Sequence, residues 1–383
     1  ENLRNMKIFK ENESILREVI SMKIGLVGLP LVGKTTFFNL LTNAHAEISN
    51  FASGKVASNI GSAKIPDRRI DFLSKLYKPK KTTYAMIDFT DVPGLVSGAS
   101  TGAGVGNQFL EDIRKVDALV HIVRAFENPD VLHVEGSIDP MRDIETVNLE
   151  LLFADLGIID NRIVRIKGGK KVTKENLEEL KVLEKCKEGL ENGLLIHQIN
   201  LSEEERDLLK TFSFLSEKPM ILVINIDEKS LKSDSYPQKE DIRKYAAERN
   251  VPVIEVCAKA EMEINELEEE DRLMFMEELG IKSSGIDVLA STTYDYQGLI
   301  SFLTAGEDEV KAWTIRKGTD AKKAAGKIHS DIERGFIRAE VVKFKDIEAL
   351  GSMAKVKEKG LYRLEGKEYI VQDGDIINFR FNV

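Results

Sequence analysis

Short apolar runs recur along the chain up to Val256, and each is bounded by Gly, Pro or Asp. Most are followed by sequence of helical period, a pattern typical of buried strands in a mostly parallel sheet. The runs are Lys23–Val27, Ala85–Phe89, Ala118–Val123, Met220–Ile224 and Val253–Val256. This order of strand, turn and helix predicts an α/β layer fold.

A different pattern separates the third run from the fourth. Leucine and isoleucine alternate there at spacings of three and four, as in a coiled-coil seam, at Leu149, Leu152, Leu156, Ile159, Ile163 and Ile166. Thr173 can cap a second helix, whose apolar side carries Leu177, Leu180, Leu183 and Leu190. We therefore predict an antiparallel helical hairpin inserted into the sheet domain, within residues 140–215. Its tip is basic and contains Arg162, Arg165, Lys167, Lys170, Lys171 and Lys174.

After Thr304 the pattern changes to short alternating strands with one helix between them. The strands are predicted around Trp313–Ile315, Arg338–Phe344 and Ile376–Phe381, and the helix near Ala321–Ile328. Such a segment predicts a small α+β domain at 304–383. The sheet domain with its hairpin then covers 22–303, and 1–21 precede it as an extension or tag.

Composition narrows the class of protein. The 383 residues suit two or three domains, and 55 basic against 64 acidic residues give a net charge of −9, which excludes a polycation that coats nucleic acid. No apolar run reaches the roughly 20 residues that span a bilayer. Two cysteines, Cys186 and Cys257, do not make a disulfide framework. We expect a cytoplasmic protein that binds neither membrane nor DNA.

Gly28–Thr35 matches the motif G-x-x-x-x-G-K-[ST] between a predicted strand and a predicted helix. In such a loop the backbone N–H groups and the helix N-terminus bind phosphates, the Lys bridges phosphate oxygens, and the hydroxyl ligates Mg²⁺. We therefore predict a nucleotide site. Its phosphate-binding residues are Gly28, Leu31, Val32, Gly33, Lys34, Thr35 and Thr36.

Asp91 and Gly94 follow the second predicted strand. These are the places of an acid that reaches Mg²⁺ and a glycine that senses the γ-phosphate, so Thr35 and Asp91 are the predicted metal ligands. The Gly-rich stretch Gly98–Gly106 predicts a nucleotide-dependent switch. Leu95 stands where Ras-like GTPases place the Gln that orients the attacking water, so we expect slow intrinsic turnover.

Asn225-Ile226-Asp227-Glu228 follows the fourth run. GTPases carry Asn-Lys-x-Asp there, and the Asp accepts two hydrogen bonds from guanine. A longer carboxylate at Glu228 spoils that geometry and favours adenine. Asn225 as a simple helix cap is the alternative. Cys257, Ala258 and Lys259 fit the loop that closes over the base.

Together these motifs resemble the Obg-like ATPase (YchF) family from Met22 to Val383. The stretches that carry the resemblance are DVPGLVSGASTGAGVGNQFL (Asp91–Leu110), the N-x-x-E signature at Asn225–Glu228, and EGKEYIVQDGDIINFRFNV (Glu365–Val383). The resemblance implies a Ras-like P-loop NTPase domain with a coiled-coil arm, a C-terminal β-grasp (TGS) domain, preference for ATP over GTP, and association with ribosomes. It also implies that His133 takes part in hydrolysis and that the backbone at Ile226 contacts adenine.

Two departures from the family pattern affect the cations. The family has Asn at the place of Leu31, where it helps to hold a monovalent cation, so potassium activation does not carry over to this chain. The family's Mg²⁺-coordinating Thr in the first switch corresponds to Lys55. Since a cation does not ligate Mg²⁺, either Ser53, Ser58 or water takes that place or the first switch is loose. Alternatively, Lys55 itself contacts the phosphates.

The leading interpretation is an ATPase switch that meets the ribosome through the basic arm and the TGS domain and regulates translation or a stress response. One alternative is an Obg-type GTPase specific for GTP. Another is a nucleotide-gated ribosome- or RNA-binding module in which hydrolysis is incidental.

Overall fold

The computed structural model describes residues 22–46, 58–95, 105–169 and 173–382. The predicted N-terminal extension lies outside them. The described residues form two compact units. The first contains those of Glu1–Ser62 and Asp88–Ile286, and the second those of Ala63–Ile87 and Asp287–Val383.

The secondary structure alternates between strands and helices through most of the chain. The strands are β1 (Lys23–Val27), β2 (Asn59–Lys64), β3 (Lys81–Thr83), β4 (Met86–Asp91), β5 (Ala118–Arg124), β6 (Met220–Asn225), β7 (Val253–Val256), β8 (Leu299–Ala305), β9 (Glu309–Arg316), β10 (Phe336–Lys343), β11 (Arg363–Glu365) and β12 (Asp375–Phe381). The helices are α1 (Lys34–Thr42), α2 (Arg68–Tyr77), α3 (Val105–Arg114), α4 (Pro140–Lys167), α5 (Lys174–Glu191), α6 (Glu203–Leu209), α7 (Glu228–Ser233), α8 (Lys239–Arg249), α9 (Ala258–Glu266), α10 (Glu269–Leu279), α11 (Gly285–Tyr296), α12 (Ala321–Ile328), α13 (Ser330–Arg334), α14 (Phe344–Leu350) and α15 (Met353–Glu358).

The first unit is built on a six-stranded sheet in the order β2-β4-β1-β5-β6-β7. β1 pairs in parallel with β4 and β5, and β6 pairs in parallel with β5 and β7. The central strands β1 and β5 are buried except at Lys23, and Ile24, Leu26 and Ile122 are 0% exposed. All five predicted strands are therefore confirmed, and their carboxyl ends meet at one edge, where ligands of open α/β sheets bind.

The predicted hairpin is formed by α4 and α5, which we call the arm. Asp139 caps α4 by accepting from Arg142 N at 3.1 Å, and Thr173 caps α5 by accepting from Asn176 N at 3.2 Å. The arm's buried cluster includes Leu152, Ile159, Ile163, Ile166, Leu183, Cys186 and Leu190. Two positions of the predicted seam differ, because Leu149 and Leu177 remain about half exposed.

A buried carboxylate fixes the arm to the chain that leads into β6. Asp155 on α4 is fully buried and accepts hydrogen bonds from the backbone N–H groups of Leu215 and Ser216 and from the Ser216 hydroxyl, at 3.0, 2.8 and 2.7 Å. Burial raises its pKa against the effect of these bonds.

In the described part of the chain, no helix is both long and apolar enough to cross a membrane.

The second unit has a mixed six-stranded sheet in the order β11-β10-β12-β8-β9-β3. α12 packs on it, and its alanines Ala321, Ala324 and Ala325 are fully buried with Phe302 and Val341. This confirms an α+β unit at the C-terminal end of the chain. The predicted helix matches α12, and the three predicted strands lie in β9, β10 and β12 except that Phe344 begins α14.

The second unit extends further than the predicted C-terminal domain. It begins at Asp287 instead of 304, and it also contains 63–87 from the N-terminal half of the chain. The reason is strand pairing, since β3 adds to the sheet beside β9 with Lys81 opposite Glu309. The boundary at 304 therefore cuts through β8.

Candidate nucleotide-binding site

The loop between β1 and α1 has a backbone that only particular residues tolerate. Gly28 and Gly33 have φ values of 148° and 103°. A Cβ on Gly28 would lie 2.4 Å from the Ile122 carbonyl oxygen, and one on Gly33 would lie 2.7 Å from Asn225 Nδ2. Leu31 is left-handed, with φ of 64°. Both motif glycines are therefore required by geometry.

Lys34 lies buried under the phosphate loop (Gly28–Thr35). Its ammonium donates to the carbonyl oxygens of Gly28 at 3.1 Å and Leu29 at 2.7 Å. Burial lowers the pKa of Lys34 to about 8, against the opposing attraction of Asp91. Two carbonyl groups thus hold the Lys34 ammonium at the loop, and phosphate oxygens can replace them as its acceptors.

Thr35 and Asp91 are adjacent, as a magnesium site requires. The Thr35 hydroxyl donates to Asp91 Oδ2 at 2.9 Å, and Asp91 lies at the end of β4 opposite Leu26 of β1. Mg²⁺ is commonly held by one or two carboxylates together with substrate phosphates, so one hydroxyl and one carboxylate fit that ion. Thr36 follows on α1 and is partly buried.

The chain after β4 begins directly against the phosphate loop. Leu95 N donates to the Gly28 carbonyl oxygen at 3.0 Å, and a Cβ on Gly94 would lie 3.0 Å from Pro30. The Leu95 side chain is fully buried, so it packs in the core and has no means of orienting water. The rest of the predicted switch, through 104, lies outside the described residues.

Asn225 ties the base end of the site together. Its Nδ2 donates to the Val32 carbonyl oxygen at 3.0 Å, and its Oδ1 accepts from Ala258 N at 3.2 Å. Ile226 N donates to the Val256 carbonyl oxygen at 3.0 Å. The predicted residues of three loops are therefore brought together, and Asn225 does not cap α7, the helix that follows it, but bridges the phosphate loop and the start of α9.

Asp227, two residues after Asn225, is the N-cap of α7. Asp227 accepts from Ser230 N at 2.7 Å and caps α7, whose first residue is Glu228. Lys259, near the start of α9, forms an ion pair with Glu228 at 2.8 Å. Cys257 stands at the N-cap position of α9, and burial raises the pKa of its thiol.

His133 is engaged on both ring nitrogens. Its Nδ1 accepts from Glu135 N at 3.1 Å, so the ring proton is on Nε2, which donates to Asp143 Oδ2 at 2.9 Å. Arg142 binds the other oxygen of Asp143. The imidazole has no nitrogen left to accept a proton from water in this arrangement, and its catalytic role stays a prediction.

Two buried residues of β5 were not selected from the sequence. His121 is 1% exposed, and burial together with nearby Lys34 lowers its pKa to about 3. Arg124 is 2% exposed and donates to the carbonyl oxygens of Phe126 and Val131, which fixes the loop that leads to His133. The signal was a charged or titratable residue inside an apolar strand.

The predicted first switch is described only at its end. Lys55 and Ser53 lie outside the described residues. Ser58 is described, and its hydroxyl donates to Asp112 Oδ2 at 2.7 Å. As a substitute Mg²⁺ ligand, Ser58 would first have to leave this hydrogen bond.

Two family models match the chain. Residues 23–151 match the model described as "50S ribosome-binding GTPase" (MMR_HSR1), and residues 299–382 match YchF-GTPase_C, described as "Protein of unknown function (DUF933)". The first falls on the phosphate loop and β4, and the second on the C-terminal sheet.

Full-length relatives carry the same family name. The "Ribosome-binding ATPase YchF" of Bacillus subtilis is 48% identical, over 95% of this chain and all of that protein. The protein of the same name from Escherichia coli O157:H7 is 43% identical with the same coverage. The solved structure of the Schizosaccharomyces pombe YchF GTPase is 32% identical with a TM-score of 0.82, and covers 94% of this chain and 98% of that one.

Proposed function

The chain belongs to the YchF family of P-loop NTPases, and on that premise we propose that it is a cytoplasmic, ATP-hydrolysing switch protein that prefers ATP over GTP and associates with the ribosome. The names of the bacterial relatives support the ATPase activity and the association with the ribosome, since they describe ribosome-binding ATPases.

The base motif (Asn225–Glu228) carries the preference for ATP. Asp227 is occupied as the cap of α7 and also accepts from Glu127 N at 3.4 Å. Glu228 is therefore the carboxylate left in this motif to accept hydrogen bonds from guanine, and it is already paired with Lys259. A carboxylate that is already paired with Lys259 gives guanine a smaller reward for its two donors, whereas adenine loses nothing.

The phosphate end binds the triphosphate by charge and backbone. Lys34 exchanges its two carbonyl partners for phosphate oxygens, and the N-terminus of α1 adds its positive end. Thr35 and Asp91 would hold Mg²⁺, and the ion would supply positive charge to neutralise the phosphates.

Hydrolysis is slow in this proposal because Leu95 is packed in the core. His133 is the candidate for orienting the attacking water, and it acts only after leaving Asp143 and Glu135. Release of the segment after Gly94 on hydrolysis then changes how the arm and the C-terminal unit meet the ribosome.

Comparing ATP and GTP affinities tests the base preference. Calorimetric titration in the presence of Mg²⁺ is expected to give a lower Kd for ATP, and Glu228→Asp is expected to narrow the difference by restoring the shorter carboxylate. The S. pombe relative is called a GTPase, and GTP binding far tighter than ATP binding would place this chain with that name instead.

Substitutions at the arm tip test the proposed association with the ribosome. Three cations of the tip are paired: Arg162 with Glu179 and Lys167 with Glu184 across the two helices, at 2.7 and 2.8 Å, and Lys174 with Glu178 within α5, at 3.8 Å. Lys170 and Lys171 lie outside the described residues. The positive charge of the tip is therefore smaller than the sequence predicts, because acids of the arm compensate these three cations.

Replacing Lys167, Lys170, Lys171 and Lys174 with Gln is expected to weaken ribosome binding and to flatten its salt dependence, because each lost phosphate contact removes about one unit of the slope. Co-sedimentation with ribosomes over a range of KCl measures both. Binding that depends on ATP but survives when turnover is abolished would favour the nucleotide-gated module.

The control for that variant removes the same charge from the first unit's surface. It replaces four exposed lysines that lie outside the arm with Gln: Lys210, Lys229, Lys232 and Lys244. Equal weakening by the tip variant and by this control would show that total charge, and not the tip, governs the association.

A further inference from the structure

An ion pair spans the two loops at the base end of the site. Lys259 Nζ lies 2.8 Å from Glu228 Oε1 and 3.8 Å from Glu263 Oε1, one turn further along α9. The backbones of these loops are tied by Asn225, which bonds Ala258 N next to Lys259. This hydrogen bond keeps the starts of α7 and α9 side by side, so that Glu228 and Lys259 lie within reach of each other.

The pair involves the carboxylate on which guanine discrimination depends. Asp227 has its oxygens committed to Ser230 N and Glu127 N. Any recognition of the guanine N1 and N2 donors by this motif therefore needs Glu228. With Lys259 on Oε1, guanine must displace the ammonium or share the carboxylate with it, and a shared acceptor loses the two parallel bonds that guanine requires.

We propose that Lys259 is a specificity-determining residue, which selects against guanine nucleotides by holding Glu228 in an ion pair across the base site. This role rests on the proposed preference for ATP. It adds a second residue to the base motif, from a different loop, and assigns to it a repulsive function: Lys259 withholds an acceptor from the wrong base instead of binding the right one.

The exposure of the pair sets the size of the effect. The side chains of Lys259 and Glu228 are 74% and 37% exposed. Exposed ion pairs change an equilibrium by about two- to fivefold, so Lys259 contributes a modest part of the discrimination and the length of the Glu228 side chain contributes the rest. Adenine offers no donor in place of guanine N1–H, so freeing the carboxylate brings it no gain.

Lys259→Met keeps the aliphatic stem and removes the charge. Calorimetric titration with ATP and GTP, each with Mg²⁺, is expected to show GTP binding about two- to fivefold tighter and ATP binding within about twofold of wild type. The matched control is Lys229→Met, on the exposed face of α7, since Lys229 forms no ion pair with Glu228 in the described structure. Its ratio of affinities is expected to stay unchanged.

A double-mutant cycle separates pairing from general charge. In the Glu228→Gln background, Lys259→Met is expected to leave the ratio of GTP to ATP affinity unchanged. The proposal is overturned if Lys259→Met leaves the ratio unaltered in the wild-type background, if it shifts both nucleotides equally, or if its effect persists in the Glu228→Gln background. Failure of the ATP preference is a separate result, because it appears in the wild-type ratio and not in the coupling between the two residues.

Discussion

Lys34→Met is expected to lower the affinity for ATP by about a hundredfold or more and to abolish hydrolysis. The ammonium makes two hydrogen bonds that phosphate oxygens take over, and charge-assisted bonds of this kind contribute about 1.5–3 kcal/mol each. The other charged group of the phosphate site, Asp91, is negative and requires Mg²⁺ before it tolerates a triphosphate. Calorimetric titration with ATP and Mg²⁺ measures the loss.

The pH dependence of binding identifies the group. The pKa of Lys34 is lowered to about 8 in the unliganded protein, so at higher pH the free site must take up a proton before it binds. Affinity is therefore expected to fall by up to about tenfold per pH unit above 8.

Thermal unfolding shows whether the Lys34→Met variant is folded. A folded variant that loses less than about tenfold in affinity would contradict the phosphate-binding role.

The parallel sheet was readable from the sequence because its strands are buried on both faces. The runs that became β1, β5 and β6 are nearly continuous Val, Ile and Leu, and the phosphate loop joins the first of them to a helix. The residues of the nucleotide site could also be predicted from the sequence, because each follows one of these strands and the carboxyl ends of parallel strands share an edge.

The strands that were missed owe their structure to distant partners. β2, with the sequence NIGSAK, alternates between exposed and partly buried positions and contains few apolar residues. β3 has only three residues and exists because it pairs with β9, more than two hundred positions later. Local pattern therefore assigned 63–87 to the nucleotide domain, whereas its tertiary contacts, which include the pairing of β3 with β9, place it in the second unit.

Pairing between side chains was the other feature that could not be predicted from the sequence. The arm tip was judged basic from the cations between Arg162 and Lys174, but the acids that pair with Arg162 and Lys167 lie 17 positions away on the facing helix, as Glu179 and Glu184. His133 was assigned to hydrolysis through the family resemblance, which did not reveal that its partner Asp143 comes from the first turn of the arm. Spacing along one helix does not reveal which charges of a second helix stand opposite.

His121→Val is expected to make the protein markedly less sensitive to acid. The pKa of His121 falls from an ordinary 6.5 to about 3 because the ring is buried and Lys34 is near. Below pH 6.5 the unfolded chain binds a proton that the folded chain excludes, so this histidine lowers the free energy of unfolding as pH falls. The slope is about 1.4 kcal/mol per pH unit, or about 2–3 kcal/mol between pH 7 and 4.5.

Urea unfolding followed by circular dichroism at pH 7 and 4.5 measures the difference between variant and wild type, in which the other titrating groups cancel. His45→Ala, at an exposed position on the chain leaving α1, is the control and is expected to follow the wild type. Parallel pH curves for His121→Val and wild type would mean that the ring is protonated in the folded protein. A neutral His121 instead leaves Lys34 as the cation at the phosphate end of the central strands, since an imidazolium there would repel the ammonium on which phosphate binding depends.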